Sequence, residues 1–337
     1  MAMANGMQQQ QQQQGSIPRI DFAGIDPAAG GGGATWAAVR AAVMDALRTH
    51  GCFEAAMDGL IAPELHAAVL GAGGAAESVL RCRRAPRRGT PPTRCTTATS
   101  APSPTYSTRA WASPTRSRST PCAPSPTACG PTTTVPTLTS ANESVHAYAG
   151  KVAVLEATVR RMVLESVGAT AEYMDELGKS TAFLLRLSEY AAGAVDDGKL
   201  GLSTHRDPGI LAVISQNDVD GLEVECRRGE DGWARPSLSG GSFLVVAGDM
   251  LTVLTNGQVY NPAHRMMPGD ETRYSSVFFC IPSDGATVSA IDEAVDAGRS
   301  ALFRPFKFRE YLKFSFTPEN LQLDDKLQAF AAVPVDG

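Results

Sequence analysis

The chain has 337 residues, of which 43% are hydrophobic, and its formal net charge is −5. This hydrophobic share allows a sizeable core, and the negative charge argues against a nucleic-acid-binding surface over the whole molecule. No apolar run reaches membrane-spanning length, and the N-terminus lacks the charged-then-apolar pattern of a secretion signal. The seven cysteines form no CxxC pair and are too few for a disulfide scaffold. We therefore expect a globular protein of the reducing cytoplasm.

Composition and periodicity divide the chain into six parts. They are a disordered Gln-rich tail (1–15), an N-terminal region of strands and helices (16–80), an anomalous low-complexity segment (81–140), supporting helices (141–180), a strand-rich core (181–285), and a C-terminal helix with an irregular tail (286–337). In the N-terminal region, strands are predicted at Ile17–Phe22 and Cys52–Met57. Thr35 is the predicted N-cap of a helix that Gly51 ends, and Pro63 fits the first turn of a second helix.

The segment 81–140 differs in composition from both of its flanks. Between Glu77 and Glu143 there is no Asp, Glu or Lys, and Thr, Ser, Pro, Ala and Arg dominate. A disordered linker is one interpretation, and a basic arm with its arginines clustered at 83–88 is another. We favour a third hypothesis, translation in the wrong reading frame, because a GC-rich coding sequence read out of frame yields these residue types. If neither of the other two frames encodes a patterned segment, this hypothesis is wrong.

Periodicity returns at about residue 141. Apolar residues at helical spacing predict a long helix from Val145 to Met162 that ends near Gly168, and a shorter helix at Ala171–Leu177. Six short apolar or alternating runs then follow with turn residues, not helices, between them. The predicted strands are Ala182–Leu187, Gly209–Ser215, Leu222–Cys226, Gly241–Val246, Met250–Thr255 and Tyr274–Ile281. This order favours an α+β protein with a jelly-roll core (a double-stranded, cupin-like β-helix), followed by a last helix at Phe306–Phe314.

Two histidines and one aspartate lie beside the ends of predicted strands. His205 and Asp207 come just before one strand, and His264 comes before another. A lone His-x-Asp is a frequent chance match, and a lone strand-end His is more often structural. In a jelly roll, however, these ends converge, and two imidazoles with one carboxylate hold one face of a non-haem Fe(II) ion. We predict that His205, Asp207 and His264 are metal ligands and catalytic residues.

A second set of residues suits a negatively charged co-substrate. Arg273 keeps its charge inside a barrel, and its fork of donors suits a carboxylate. Ser275 lies two residues further along the same strand, on the same face, and is predicted to donate to the same carboxylate. Tyr190 is a further candidate for this pocket, although core packing explains it equally well. Asp249 is interpreted as a turn residue.

These motifs resemble those of the plant 2-oxoglutarate/Fe(II)-dependent dioxygenases over about 17–80 and 141–333. The similar stretches are Ile17–Phe22, His50–Glu54, His205–Asp207, Gln216–Val224, Gly248–Met250, Thr255–Gly257, His264 and Arg273–Ser275. The resemblance implies Fe(II), ascorbate as a helpful addition, and 2-oxoglutarate decarboxylated to succinate while an unactivated C–H bond is hydroxylated or desaturated. Phe308–Phe314 looks most like the branch with auxin-oxidising and glucosinolate-modifying members. We therefore expect a monomer without nucleic-acid or membrane partners. Its expected substrate is a small plant metabolite or a hormone-like carboxylic acid, with an auxin-like acid favoured.

Two features depart from the family pattern. The residue inside the triad is commonly Thr or Ser, whereas here it is Arg206, which, like Arg265, is expected to point away from the metal. The segment 81–140 does not resemble the pocket-lining helix and loop of the family. An impaired or inactive relative that keeps its metal site is therefore the alternative, and Arg273 with Ser275 disfavours a cupin-like binder that does not oxidise.

Overall fold

The computed structural model describes residues 17–26, 32–71, 108–112, 138–192, 202–226, 232–239, 241–295 and 300–334. The strands are β1 (Arg19–Asp21), β2 (Cys52–Ala56), β3 (Thr108–Ala112), β4 (Thr181–Tyr190), β5 (Leu202–His205), β6 (Leu211–Gln216), β7 (Leu222–Glu225), β8 (Trp233–Ala234), β9 (Ser242–Ala247), β10 (His264–Met266), β11 (Arg273–Pro282), β12 (Thr287–Val288) and β13 (Phe306–Lys307). The helices are α1 (Ala34–Thr49), α2 (Leu138–Ser166), α3 (Ala171–Lys179), α4 (Asp249–Leu254), α5 (Phe308–Ser315) and α6 (Lys326–Ala331), with a further helical segment at 63–71. Short 3-10 turns lie at Asp292–Ala294 and Asn320–Gln322.

Two sheets form the core of the molecule. The larger has the order β1-β2-β9-β6-β11-β4-β3, and the smaller has the order β5-β10-β7-β8. Every pairing in these sheets is antiparallel except that of β1 with β2. Non-consecutive strands lie side by side, which is the Greek-key pattern of a jelly roll. The predicted α+β fold with a jelly-roll core is therefore confirmed.

The larger sheet has two differently occupied faces. One face turns toward the smaller sheet, where apolar side chains from both sheets pack into one cluster that includes Ile214, Val246, Val224 and Met266. The other face packs against the helices, above all against the buried side of α2. This alternation follows from the strand period of two, which sends neighbouring side chains to opposite faces. The barrel interior is thus separated from the main helical core by one layer of backbone.

One predicted strand is wrong: Met250–Thr255 is occupied by the helix α4. The run is apolar and buried on nearly all sides, and a short run of this kind has no period that separates helix from strand. Its backbone begins at Gly248, where a Cβ would lie 2.3 Å from the carbonyl oxygen of Gly209. It ends at Asn256 and Gly257, whose φ values of 48° and 77° stop the helix.

Other predictions differ at element ends. Thr35 lies inside the first turn of α1, whose N-cap is Gly33 without a side-chain hydrogen bond, so the predicted cap is wrong. The expected irregular tail contains α6, capped by Asp325, which accepts from the backbone N–H of Gln328. Within the segment 81–140, the backbone of 108–112 pairs with β4, and α2 begins at Leu138 rather than near 141.

The tail 1–15 and most of 81–140 lie outside the described residues. The proposed reading-frame error and the six-part division of the chain accordingly stay predictions. Among the helices that the structure describes, none is long and apolar enough to span a bilayer.

Candidate active site

Three predicted ligands meet at one mouth of the jelly roll. His205 is the last residue of β5 and is paired across the smaller sheet with His264, the first residue of β10. Asp207 lies two residues after β5, in the loop that leads to β6. Its carboxylate oxygens are 3.7 Å from Nε2 of His205 and 3.8 Å from Nε2 of His264. One ligand atom from each of the three lies within 4.8 Å of the others, so a single ion can contact all three.

The imidazoles are held with Nε2 toward this common point. Nδ1 of His205 is 2.8 Å from the carbonyl oxygen of Ser203, which can only accept, so Nδ1 carries the proton and Nε2 keeps a free lone pair. Burial, followed by the charge of the neighbouring His264, lowers the pKa of His205 to about 4, against the opposing effect of Asp207. The ring is therefore neutral at physiological pH, which is the form that binds metal.

The donor set fits a ferrous ion. Two neutral nitrogens and one carboxylate oxygen form a facial set that leaves the remaining coordination positions open. Oδ2 of Asp207 is buried and has no hydrogen-bond partner within the described part of the chain. A buried carboxylate oxygen without a partner is costly, and a divalent cation is the group that would satisfy it.

Hydrogen bonds to its backbone hold the loop that carries Asp207 in place. The carbonyl oxygen of Asp207 accepts from the backbone N–H of Asp249 and from Nδ2 of Asn261, each at 2.9 Å. Asn261 also donates to the carboxylate of Asp249, which in turn accepts from the hydroxyl of Tyr311. Asp249 is thus a buried residue at the start of α4 and not the turn residue that the sequence predicts. Its burial raises its pKa to about 6.

A second polar site lies inside the barrel around Arg273, which is 3% exposed. Its Nη2 and Nε donate to Oε1 of Gln216 at 2.7 and 3.2 Å, and its Nη1 is buried without a hydrogen-bond partner among the described residues. Burial lowers the pKa of Arg273 to about 10, so it stays charged at neutral pH. A carboxylate is the ligand that such a guanidinium lacks.

The two other predicted pocket residues lie beside Arg273. Ser275 is buried two positions further along β11, and Tyr190 is paired with Arg273 across β4 and β11. The guanidinium of Arg273 lies 5.3 Å from the ring centroid of Tyr190. The structure therefore places all three on one face of the larger sheet. The sequence alone gives no signal that Gln216 belongs to the site, because only the strand register pairs it with Ser275.

The two arginines next to the ligands are engaged elsewhere, as predicted. Arg206 donates to Glu225 at 3.0 Å and to the carbonyl oxygen of Asn261. Arg265 donates to Glu223 at 2.8 Å and lies 3.9 Å from the ring centroid of Trp233. Both positive charges are therefore compensated away from the three ligand atoms.

A jelly roll with two His and one Asp at its mouth and an arginine inside it defines the class of non-haem iron oxygenases. Residues 182–282, the range that holds every predicted site residue, match the model of the 2OG-Fe(II) oxygenase superfamily. This match confirms the resemblance inferred from the motifs, which implies Fe(II) as the metal and 2-oxoglutarate as the co-substrate.

Individual relatives are plant proteins. The probable 2-oxoglutarate-dependent dioxygenase AOP1.2 of Arabidopsis thaliana is 37% identical over 199 residues, which are 57% of this chain and 61% of the relative. The 2-oxoglutarate-dependent dioxygenase AOP2 of the same plant is 34% identical over 140 residues, which are 41% and 32% of the two chains. The chain thus spans about three fifths of the length of the first of these curated relatives.

Solved structures share the fold. The rice dioxygenase for auxin oxidation superposes with a TM-score of 0.67 at 24% identity, covering 94% of this chain and all of that one. JOX2 in complex with 2OG, Fe and JA superposes with a TM-score of 0.69 at 20% identity, covering 94% and 90% of the two chains. At these identities the superpositions show a common architecture, which is the jelly-roll oxygenase fold.

Proposed function

We propose that the chain is a 2-oxoglutarate- and Fe(II)-dependent dioxygenase that hydroxylates or otherwise oxidises a small carboxylic acid, with an auxin-like acid favoured. The observation that carries the proposal is the meeting of three ligand atoms within 4.8 Å at the mouth of a barrel. The same barrel buries a guanidinium nitrogen of Arg273 for which the described part of the chain offers no hydrogen-bond partner. The match of residues 182–282 to the superfamily model supports the reaction class. The C-terminal segment at 308–314 and the fold shared with the rice auxin oxidase support the substrate.

Different residues bind the metal and the co-substrate. His205, Asp207 and His264 hold one face of the metal and leave the other for co-substrate and oxygen. Arg273 binds the far carboxylate of 2-oxoglutarate through Nη1, which has no partner in the described ranges, and Gln216 fixes the orientation of the guanidinium. When bound, Fe(II), 2-oxoglutarate and oxygen together supply the oxidising chemistry, and succinate is released.

Apolar walls around the site support the same assignment. Side chains such as Ile214, Leu244 and Val246 form an apolar cluster in the barrel interior, against which Tyr190, the neighbour of Arg273, packs. They lower the local dielectric constant, which strengthens the attraction between Arg273 and a carboxylate, and they exclude water from the reacting groups.

Succinate release tests the proposal. Protein reconstituted anaerobically with Fe(II) and 2-oxoglutarate is exposed to oxygen with a panel of indole and gibberellin acids. We expect acid-dependent succinate formation, and we expect His205→Ala to lower it at least about 100-fold because one of three ligands is lost. His146→Ala, which removes an exposed imidazole on α2, is the matched control and should keep full activity. Undiminished turnover in His205→Ala would contradict the ligand assignment.

A catalytically impaired relative is the second candidate. The unusual composition of 81–140, where the family carries pocket-lining structure, favours it. This candidate predicts metal and 2-oxoglutarate binding that His205→Ala abolishes, together with no succinate formation for any acid in the panel. The same experiment therefore separates the two candidates.

A further inference from the structure

Arg186 is a second arginine on the interior face of the barrel. It lies on β4 directly opposite Val277 of β11, and the same register pairs Tyr190 with Arg273. Directly opposed residues of an antiparallel pair share a face, and residues two and four positions apart on one strand share it too. Arg186 therefore faces the space that Arg273 faces, four positions further along the strand.

The guanidinium of Arg186 has an aromatic neighbour but no anion. Its Cζ lies 5.2 Å from the ring centroid of Phe279. Among the described residues it makes no ion pair, in contrast to Arg206, which binds Glu225, and Arg265, which binds Glu223. A guanidinium stacked on a ring keeps the N–H donors at its edge free, and that edge matches a carboxylate.

Arg186 lies away from Arg273, on the part of this face that approaches the metal ligands. Val277, directly opposite Arg186, packs against the same apolar cluster as Leu202 of β5, the strand that ends at His205. Four residues along a strand separate the backbones of the two interior arginines by roughly 13 Å. One carboxylate group cannot contact both guanidinium groups if each side chain extends toward its own end of the face.

The surface beside Arg186 on this face is apolar and only partly buried. Val277 and Phe279, next to Arg186 on the same face, are half-buried, whereas Ser275 and Arg273 deeper along β11 are buried. Apolar side chains that are left partly exposed beside a charge suit a ligand that has an apolar body and one anionic group.

We infer that Arg186 is the specificity-determining residue that binds the carboxylate of the organic substrate, whose apolar body packs on Val277 and Phe279 and extends toward the metal ligands. This inference rests on the proposed function and names its substrate class, an amphipathic monocarboxylic acid. Arg273 then serves the dicarboxylic co-substrate, and the two anions are bound by separate cations.

Binding measured without turnover tests the inference. The protein is loaded with Mn(II) in place of Fe(II) and saturated with 2-oxoglutarate, so that the Arg273 site is filled. Indole-3-acetate, phenylacetate and cinnamate are then titrated by calorimetry beside their primary amides. We expect at least one acid to bind tenfold or more tightly than its amide. Arg186→Met should reduce that preference to less than twofold while leaving 2-oxoglutarate affinity unchanged.

Two further variants test whether the preference for acids over amides depends on the guanidinium of Arg186 itself. Arg186→Lys keeps the charge without the fork and should retain part of the preference. Arg304→Met removes another guanidinium that lies 5.0 Å from a phenylalanine ring, at the C-terminal segment, and should retain all of it. Equal binding of every acid and its amide by the wild type, or an unchanged preference in Arg186→Met, would overturn the inference.

The same titrations distinguish this inference from the proposed function. Failure of the Mn(II)-loaded wild type to bind 2-oxoglutarate would count against the proposed function. The comparison of acids with amides, repeated on that protein with Mn(II) alone, would still decide the role of Arg186.

Discussion

At the scale of single residues, the site depends on neutral partners that orient charged ones. Arg273 is buried and charged, and its Nε and Nη2 donate to the amide oxygen of Gln216. A neutral acceptor holds the guanidinium in place without neutralising it. The net positive charge therefore remains available to an incoming carboxylate.

We expect Gln216→Met to weaken the binding of 2-oxoglutarate by about 30-fold, since it removes two hydrogen bonds worth about 1 kcal/mol each while keeping the side-chain volume. The dissociation constant of 2-oxoglutarate from Mn(II)-loaded protein is the measurement. Gln258→Met removes an amide that accepts from Arg48 far from the barrel interior and is the matched control. An affinity in Gln216→Met equal to that of the control would show that Arg273 needs no such support.

At the scale of secondary-structure elements, one face of β11 lines the co-substrate site and the other packs against the helix α2. Arg273 and Ser275 face the barrel, whereas Ser276 faces α2, where its hydroxyl contacts the hydroxyl of Tyr148 at 2.6 Å. Tyr148 also contacts Ser215 of β6 at 2.7 Å, and the two serine hydroxyls are 2.9 Å apart. This buried hydroxyl cluster (Tyr148, Ser215 and Ser276) joins the helix to the two strands that bear the co-substrate site.

Tyr148→Phe should lower the free energy of unfolding by about 1–2 kcal/mol, because two buried hydroxyls lose a partner although they can still bond to each other. Urea-induced unfolding of the metal-free protein measures the change. Tyr173→Phe removes a half-buried hydroxyl from α3 and should cost less than about 0.5 kcal/mol. Equal unfolding free energies for both variants would mean that the cluster adds no stability.

The elements and the site differ in how far the sequence predicts them. The long strands β4, β6 and β11 and the helix α2 were predicted from periodicity, because each buries one or both faces over six or more residues. The short strands β5 and β10 lie outside the predicted strands, since neither contains an apolar run. The ligands themselves have a characteristic spacing. Asp249 and Asn261, which brace Asp207, and Gln216, which orients Arg273, act through contacts that only the folded chain creates.

At the scale of the whole molecule, the C-terminal segment is coupled to the metal site. Tyr311 on α5 is fully buried, and its hydroxyl donates to Asp249. Asp249 contacts Asn261, and both donate to the backbone of Asp207. Aromatic contacts of Tyr311 with Phe306 and Phe330, at centroid distances of 5.7 and 5.4 Å, fasten this segment to the core. A chain of direct contacts thus runs from α6 to a predicted ligand.

Tyr311→Phe is expected to lower the affinity for Mn(II) by roughly three- to tenfold, because partners beyond the ligands orient them and their loss typically costs tenfold or more. The effect should be at the lower end, since the contact reaches the backbone of Asp207 and not its carboxylate. Titration of the metal-free protein with Mn(II) gives the affinity, and Tyr148→Phe is the control that loses a buried hydroxyl elsewhere. If both variants bind Mn(II) as the wild type does, the C-terminal segment supports the fold alone and does not position Asp207.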